Sequence, residues 1–306
     1  KKDFVRELTR KCFVNGIRIK NVQHLSKKNG RNAIVFQART VGRSCVAAKK
    51  VVPVLTEVLR SGYYPDDSNR RIINEEYHQY IFIQEDRFKL LSGVARMNKG
   101  KSHFNGDNFL ISRLECGKAI AAIADGMGSG KRAYIESRMV IELMENCIDA
   151  GFDEKASIDL INSAYIAGGG TGNPVTMDMS VIDCQSGYMH CMKLGAVSTF
   201  IRRDKWVEII QSTTLPMGVL EQVDYDCTTK KLYDGDYIVM VSDGVLDNIP
   251  CVNKEERMAQ MIHALTIREP SAMAEKLLEQ SLAYNDMKAS DDCTVLVLGL
   301  FDTYEK

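Results

Sequence analysis

Four acidic sites stand where an apolar run starts or stops, and carboxylates in such places can do chemistry together. Gly106-Asp107-Asn108 opens one run, and Ala124-Asp125-Gly126-Met127-Gly128 closes another. Val241-Ser242-Asp243-Gly244 repeats the second arrangement, and Asp291-Asp292-Cys293-Thr294 stands directly before the final run. Separations of 18, 118 and 48 residues exclude a local site, but a sheet can bring distant strand ends together. Converging carboxylates repel unless they are protonated or share a cation. Oxygen ligands suit a hard divalent ion, Mg²⁺ or Mn²⁺. Two such ions about 3.5–4 Å apart activate water near neutral pH and brace an in-line attack on phosphorus. Glycine beside Asp107, Asp125 and Asp243 lets backbone and water approach closely. A single Asp-Gly pair is ordinary turn punctuation. Four sites, each against an apolar strand, favour a shared one.

Competing chemistries fit less well. Gly126-Met127-Gly128-Ser129-Gly130-Lys131-Arg132 has the glycines of a phosphate loop, but Asp125 replaces the first glycine and Arg132 the magnesium-binding hydroxyl. Lys131 also spoils a dinucleotide fingerprint. Lys131 and Arg132 remain candidates to bind a substrate phosphate, or else they form a solvated helix face. His103 lies near Asp107, yet one histidine without a fixed partner specifies no role.

The elements that must position these acids follow from periodicity. Lys118 to Ala124 reads as an apolar strand, followed by a helix from Ser129 to Ala150 that Gly151 ends. Asp153 caps a second helix bearing Ala156, Leu160, Ile161 and Ala164. Gly168 to Pro174 is a loop and a candidate flap. Strands follow at 177–183, 188–194, 199–202, 207–211, 226–232 and 237–241. Asn253 and Glu256 form a capping box for a helix to Thr266, and Pro270 opens another to Tyr284. Thr294 to Leu298 is a buried strand. Many strands with segregated helix pairs predict an α+β helix–sheet–sheet–helix β-sandwich over residues 89–306.

Residues 1–88 read as a separate small α/β domain. A helix is expected over Phe4–Phe13, then extended segments from Ile17 and Ala33. Ser44 is expected to cap a helix running through Leu59, with Pro53 kinking it. Ser61 to Asp67 is turn chemistry, and Tyr80–Ile83 another strand.

The 306 residues balance 40 Lys+Arg against 40 Asp+Glu, which argues against a strongly basic nucleic-acid partner. No apolar run reaches the roughly 18 residues of a membrane span. Nine cysteines without a Cys-x-x-Cys pair suit a reducing compartment such as the cytoplasm. Lys1 in place of Met, with no secretory signal, reads as a piece of something longer.

Asp125-Gly126-Met127-Gly128, Ser242-Asp243-Gly244 and Asp291-Asp292-x-Thr294, preceded by Gly106-Asp107, resemble the metal motifs of the PPM (protein phosphatase 2C-type) serine/threonine phosphatases. Ser92-Gly93-Val94-Ala95, Lys193-x-Gly195, Phe200-Ile201 and Leu215-Pro216-x-Gly218 extend the resemblance over about residues 92–298, toward the sporulation branch of that family. The resemblance implies a phosphoserine phosphatase with two Mn²⁺ or Mg²⁺ ions and no covalent intermediate. A metal-bridging water would attack. It implies that Asp125 bridges the ions, the Gly126 carbonyl faces one, Asp243 and Asp291 hold the other, and Asp107 helps through water. Asp292 is a further candidate ligand. Met127 stands where some relatives carry a possible general acid, His. The implied substrate is a phosphorylated anti-anti-sigma factor, whose dephosphorylation activates a sporulation sigma factor. Cell-division proteins and self-association are implied as further partners. Membrane segments ahead of the regulatory region would place the whole protein at the cytoplasmic membrane face. The helices after Asp125 and Asp153 would couple residues 1–88, as regulatory region, to metal binding. Two alternatives stand beside this reading: a non-catalytic scaffold of the same fold, and a stress-response phosphatase of the same family.

Overall fold

A computed structural model describes residues 2–25, 31–100, 103–114, 116–167, 173–222 and 224–303. It resolves into two units, divided between Arg87 and Phe88, with Cys116, Gly117 and Thr303 in the first.

The first unit contains α1 (Lys2–Val14), β1 (Ile17–Leu25), β2 (Ala33–Thr40), β3 (Val46–Ala47), α2 (Val52–Leu59), β4 (Tyr63–Pro65), β5 (Ile72–Ile73) and β6 (His78–Gln84). Its main sheet is antiparallel in the order β1-β2-β6-β4. Leu8 of α1 and Leu55 of α2 bury against Ile34, Phe36, Tyr80 and Phe82 of that sheet. The helix expected from Ser44 does not start there. Residues 46–47 are a strand, 48–51 a 3₁₀ turn, and Pro53 lies in the first turn of α2. Proline lacks the N–H that only a first turn can spare, so it opens this helix and does not kink it. Part of the expected turn at 61–67 pairs with β6 as β4.

The second unit is a four-layer sandwich, as the apolar pattern predicts. Its elements are β7 (Phe88–Met97), β8 (Asp107–Arg113), β9 (Lys118–Gly126), α3 (Lys131–Asp149), α4 (Glu154–Ala167), β10 (Val175–Asp183), β11 (Tyr188–Leu194), β12 (Thr199–Arg202), β13 (Val207–Ile210), β14 (Asp226–Lys231), β15 (Tyr237–Val241), α5 (Asp243–Asp247), α6 (Lys254–Ala264), α7 (Pro270–Leu282) and β16 (Cys293–Asp302). One sheet runs β14-β11-β10-β9-β8, the other β13-β12-β15-β16-β7.

Successive side chains of a strand point to opposite faces, which sorts the core into three layers. Ile120, Ala122 and Ala124 of β9 bury with Val140 and Met144 of α3 and Ile158 and Ile161 of α4. Their neighbours Ala121 and Ile123 face Ile238, Met240, Leu296 and Leu298 between the sheets. Val295 and Val297 then meet Met258, Ile262, Met273 and Leu277 of α6 and α7 on the far side. Burial on both faces is why β9 and β16 lack the polar alternation of a half-exposed strand. The caps form as read: Asp153 accepts from the Ala156 N–H at 2.7 Å, and Asn253 from Glu256 at 3.2 Å. Gly151 follows α3 at φ +86°. β9 reaches Gly126 and β16 spans 293–302, both longer than expected, because partner strands continue alongside. The candidate flap at 168–172 lies outside the described residues.

Candidate active site

Asp107 and Asp125 sit directly opposite one another on β8 and β9. On the other sheet, Val241 of β15 pairs with Val295 of β16, so Asp243 follows one strand and Asp291 precedes its neighbour at the same end. Ser242 and Thr294 latch those ends together, through Ser242 N–H to Thr294 O at 3.0 Å and Thr294 N–H to Ser242 Oγ at 2.9 Å. The four acids that are far apart in sequence therefore share one neighbourhood. Asp125 and Asp243 also line a common cavity of about 50 Å³, with Thr176, Asp178 and residues 195–197.

The electrostatics of the cluster are unfavourable as it stands. Asp107 is fully buried, and neither carboxylate oxygen has a well-formed hydrogen-bond partner. Burial pushes its carboxyl up to about 7, although the Thr294 and Ser242 hydroxyls offset part of that. Asp125 is pushed up to about 9, first by burial and then by the charges of Asp107, Asp243 and Asp291. Asp243 is raised by burial, then by Asp247 and Asp291, against a backbone hydrogen bond from Gly244. Among the described residues no three carboxylate, imidazole or thiol groups already close around one point. An all-oxygen cluster with a buried carboxylate that has no well-formed hydrogen bond nevertheless fits a hard divalent cation, which would remove the repulsion and complete the acceptor.

Asp292 is placed differently. One of its oxygens accepts the Lys99 N–H and the other the Gly106 N–H, each at 2.7 Å. Its side chain thus braces the approach to Asp107. Asp291 instead keeps a side chain 39% exposed, with the Lys99 ammonium 3.5 Å away. Lys131 and Arg132 begin α3 with exposed side chains, and Arg132 is paired with Glu136 at 3.3 Å. His103 is exposed.

Both site glycines have a packing reason beyond water access. A Cβ on Gly126 would overlap the Ala133 carbonyl of α3, and one on Gly244 the Asp292 carbonyl. These contacts seat α3 against β9 and α5 against the strand that follows Asp292. Gly126→Ala and Gly244→Ala are each expected to cost about 1–3 kcal/mol, the usual penalty for overpacking. Thermal unfolding read by fluorescence of the single tryptophan, Trp206, checks this; an unchanged midpoint in both would show that the glycines are incidental.

Three residues near the acids had no role in the motif reading, although Lys193 stands in one of its motifs. Arg96 of β7 donates to the Asp107 carbonyl and carries its charge beside Asp107 and Asp292. Asp178 of β10 and Lys193 of β11 form an ion pair at 2.6 Å, with side chains 3% and 1% exposed.

The family model for stage II sporulation protein E matches residues 116–301. The chain belongs to this family. It is 29% identical over 286 residues to stage II sporulation protein E of Bacillus subtilis strain 168, covering 93% of this chain. The chain spans 34% of the length of that relative. It also resembles the solved PP2C phosphatase domain, with a fragment of the regulatory domain, of the Bacillus subtilis cell fate determinant SpoIIE. That match has a TM-score of 0.75 at 27% identity and covers 99% of this chain and 92% of the other. RsbX, solved in complex with magnesium, shares the fold at a TM-score of 0.54 and 20% identity, over 69% of this chain and 95% of its own. The stage II sporulation protein E family is one of PP2C-type protein phosphatases, and the helix–sheet–sheet–helix sandwich of this chain matches its solved phosphatase domain. Among the described residues no helix is long and apolar enough to cross a membrane.

Proposed function

We propose that this chain is a metal-dependent protein-serine/threonine phosphatase acting on phosphoserine of a phosphorylated anti-anti-sigma factor, and so activates a sporulation sigma factor. The observation that carries the reading is the convergence of Asp107, Asp125, Asp243 and Asp291 at one end of the sandwich, with the Asp107 carboxylate fully buried and only weakly contacted by the Thr294 and Ser242 hydroxyls. These four side chains, with the Gly126 carbonyl, would hold two Mn²⁺ or Mg²⁺ ions. Bound there, the ions supply activation of the attacking water and neutralisation of phosphoryl charge.

The remaining work belongs to the chain itself. The Ser242–Thr294 latch fixes Asp243 relative to Asp291, and the β8–β9 register fixes Asp107 relative to Asp125. Asp292 holds the Lys99 and Gly106 backbone, so the acid at β8 and the ammonium of Lys99 keep their places. Lys99 brings a positive charge to the open side of the cluster, where a phosphoryl group would enter. Lys131 and Arg132 at the start of α3 are further substrate contacts in this reading.

Regulation would run through α3. The Ser137 hydroxyl donates to the Gly106 carbonyl, and Asn108 donates to the same hydroxyl at 2.8 Å, tying the helix to the residues flanking Asp107. Residues 1–88 would act as the regulatory region, and the whole protein would work at the cytoplasmic membrane face.

The test is release of phosphate from a phosphorylated anti-anti-sigma protein with Mn²⁺, with Mg²⁺ and with chelator. Turnover is expected with metal and none above background with chelator. Equal release in chelator would remove the metal role, and no release from a folded, metal-loaded chain would remove the substrate assignment.

A further inference from the structure

The Asp178–Lys193 pair lies outside the acid cluster, yet its Asp178 lines the same cavity as Asp125 and Asp243. The two residues face each other across the β10–β11 hairpin. The Lys193 ammonium donates to Asp178 Oδ2 and to the Val197 carbonyl, both at 2.6 Å. The Thr199 hydroxyl donates to the same carboxylate oxygen. Asp178 lines the cavity of about 50 Å³ into which Asp125 and Asp243 open, and Gly195, Ala196 and Val197 form its wall.

Stability does not account for this arrangement. Burying two charges costs several kcal/mol each, and apolar residues of similar volume often stabilise as well or better. An apolar pair, however, has no donor for the Val197 carbonyl and no acceptor for the Thr199 hydroxyl. Those two groups lie at the far end of the crossover, residues 195–198, that carries the chain from β11 in one sheet to β12 in the other. The start of the crossover is held too. Thr214 Oγ1 accepts the Gly195 N–H at 3.2 Å and donates to the Lys193 carbonyl at 3.0 Å. Gly195 takes φ +61° against Pro216, where a Cβ would overlap the ring. The segment is thus fastened at both ends, and its far fastening is the ion pair.

We propose that Asp178 and Lys193 are positioning residues for the phosphatase reaction: the buried pair fixes the 195–198 crossover as the wall that faces Asp125 and Asp243. The inference rests on the phosphatase reading above.

The experiment compares the full chain with the double variant Asp178→Asn/Lys193→Met, which leaves no unpaired charge. Mn²⁺-dependent hydrolysis of a phosphoserine peptide gives kcat and KM, calorimetry gives Mn²⁺ affinity, and hydrogen exchange reports the amides of 195–199. The expected result is a folded protein whose 195–199 amides exchange faster by roughly tenfold or more, with kcat lower by about 30- to 100-fold and KM within about threefold, the scale of a small misplacement at a reacting centre. Mn²⁺ affinity should weaken by less than about tenfold, since the proposed ligands themselves are intact. Unchanged exchange, or unchanged kcat in a folded double variant, overturns the proposal. Should the double variant not fold, Thr199→Val removes one fastening alone, and kcat and KM both unchanged in it overturn the proposal equally. A parent chain without Mn²⁺-dependent hydrolysis would instead sink the phosphatase reading, a result distinct from an active parent with an indifferent variant.

Discussion

Asp125→Asn is expected to lower Mn²⁺-dependent phosphate release by about 10³-fold or more while leaving the chelated protein at least as stable as its parent. The first effect follows from position. Asp125 is the acid whose carboxyl is raised by all three of its partners, Asp107, Asp243 and Asp291, so it occupies the middle of the cluster. In the proposed site, a neutral amide at this position removes the charge nearest the other three acids, so metal binding and the alignment of the reacting groups would suffer. The second effect follows from the same repulsion with opposite sign. Without metal, Asp125 must either stay ionised among like charges or hold a proton that the unfolded chain releases, and an isosteric amide avoids both costs. Rate assays with Mn²⁺ calorimetry on one side, and thermal melts in chelator on the other, read the two effects separately. An unchanged rate removes Asp125 from the proposed ligand set. A rate loss accompanied by collapse of the chelated fold would mean that the carboxylate is structural.

This opposition between function and apo stability explains why the acids were legible in the sequence while their surroundings were less so. An Asp at the end of an apolar strand breaks the local rule that buried strands are apolar, and four such breaks, three of them beside Gly, point to a shared site. Asp178 and Lys193 break the same rule in the middle of their strands. They are lone charges in Thr176-Met177-Asp178-Met179 and Cys191-Met192-Lys193-Leu194, equidistant from the turn between β10 and β11. The hairpin register pairs them; Lys193-x-Gly195 marks the lysine in sequence, but only the register supplies Asp178 as its partner. Asp292 is a different case. Nothing in Asp291-Asp292 says which carboxylate faces the cluster and which takes the Lys99 and Gly106 amides, because backbone donors at residues 99 and 106 come from a loop without periodicity.

The fold divides along similar lines. The strands of the sandwich stood out because burial on both faces writes a continuous apolar run, and the caps at Asp153 and Asn253 because their side chains bond within three residues. β7 did not stand out: Phe88 to Met97 mixes Lys89, Ser92 and Arg96 with apolar residues, and only pairing with β16 makes it a strand. The start of α2 failed for want of context. Ser44 and Pro53 both signal a helix start, and the choice between them depends on whether residues 46–47 find β5 to pair with.

The chelated protein should lose stability as pH rises from 6 to 9, and Mn²⁺ should abolish that loss. In the fold the carboxyls of Asp107 and Asp125 are raised to about 7 and about 9, whereas in the unfolded chain both ionise near 4. The folded state therefore holds protons that the unfolded state has released. Its advantage is greatest below about pH 4 and is lost as pH climbs through the folded values, at about 1.4 kcal/mol per pH unit for each retained proton. Over pH 6–9 Asp125 dominates, with Asp107 contributing below about 7, so the loss amounts to several kcal/mol. For a unit of this size that is a fall of roughly 10 °C in melting temperature. Bound metal replaces both protons, and its affinity grows as the carboxylates ionise, so the Mn²⁺ curve should be flat or rise with pH. Trp206 lies in the sandwich unit, and its fluorescence follows that unit's unfolding under both conditions. A chelated melting temperature that stays level or climbs from pH 6 to 9 would mean that Asp107 and Asp125 are neither as buried nor as crowded in solution as the fold places them, which would overturn the electrostatic account of the site.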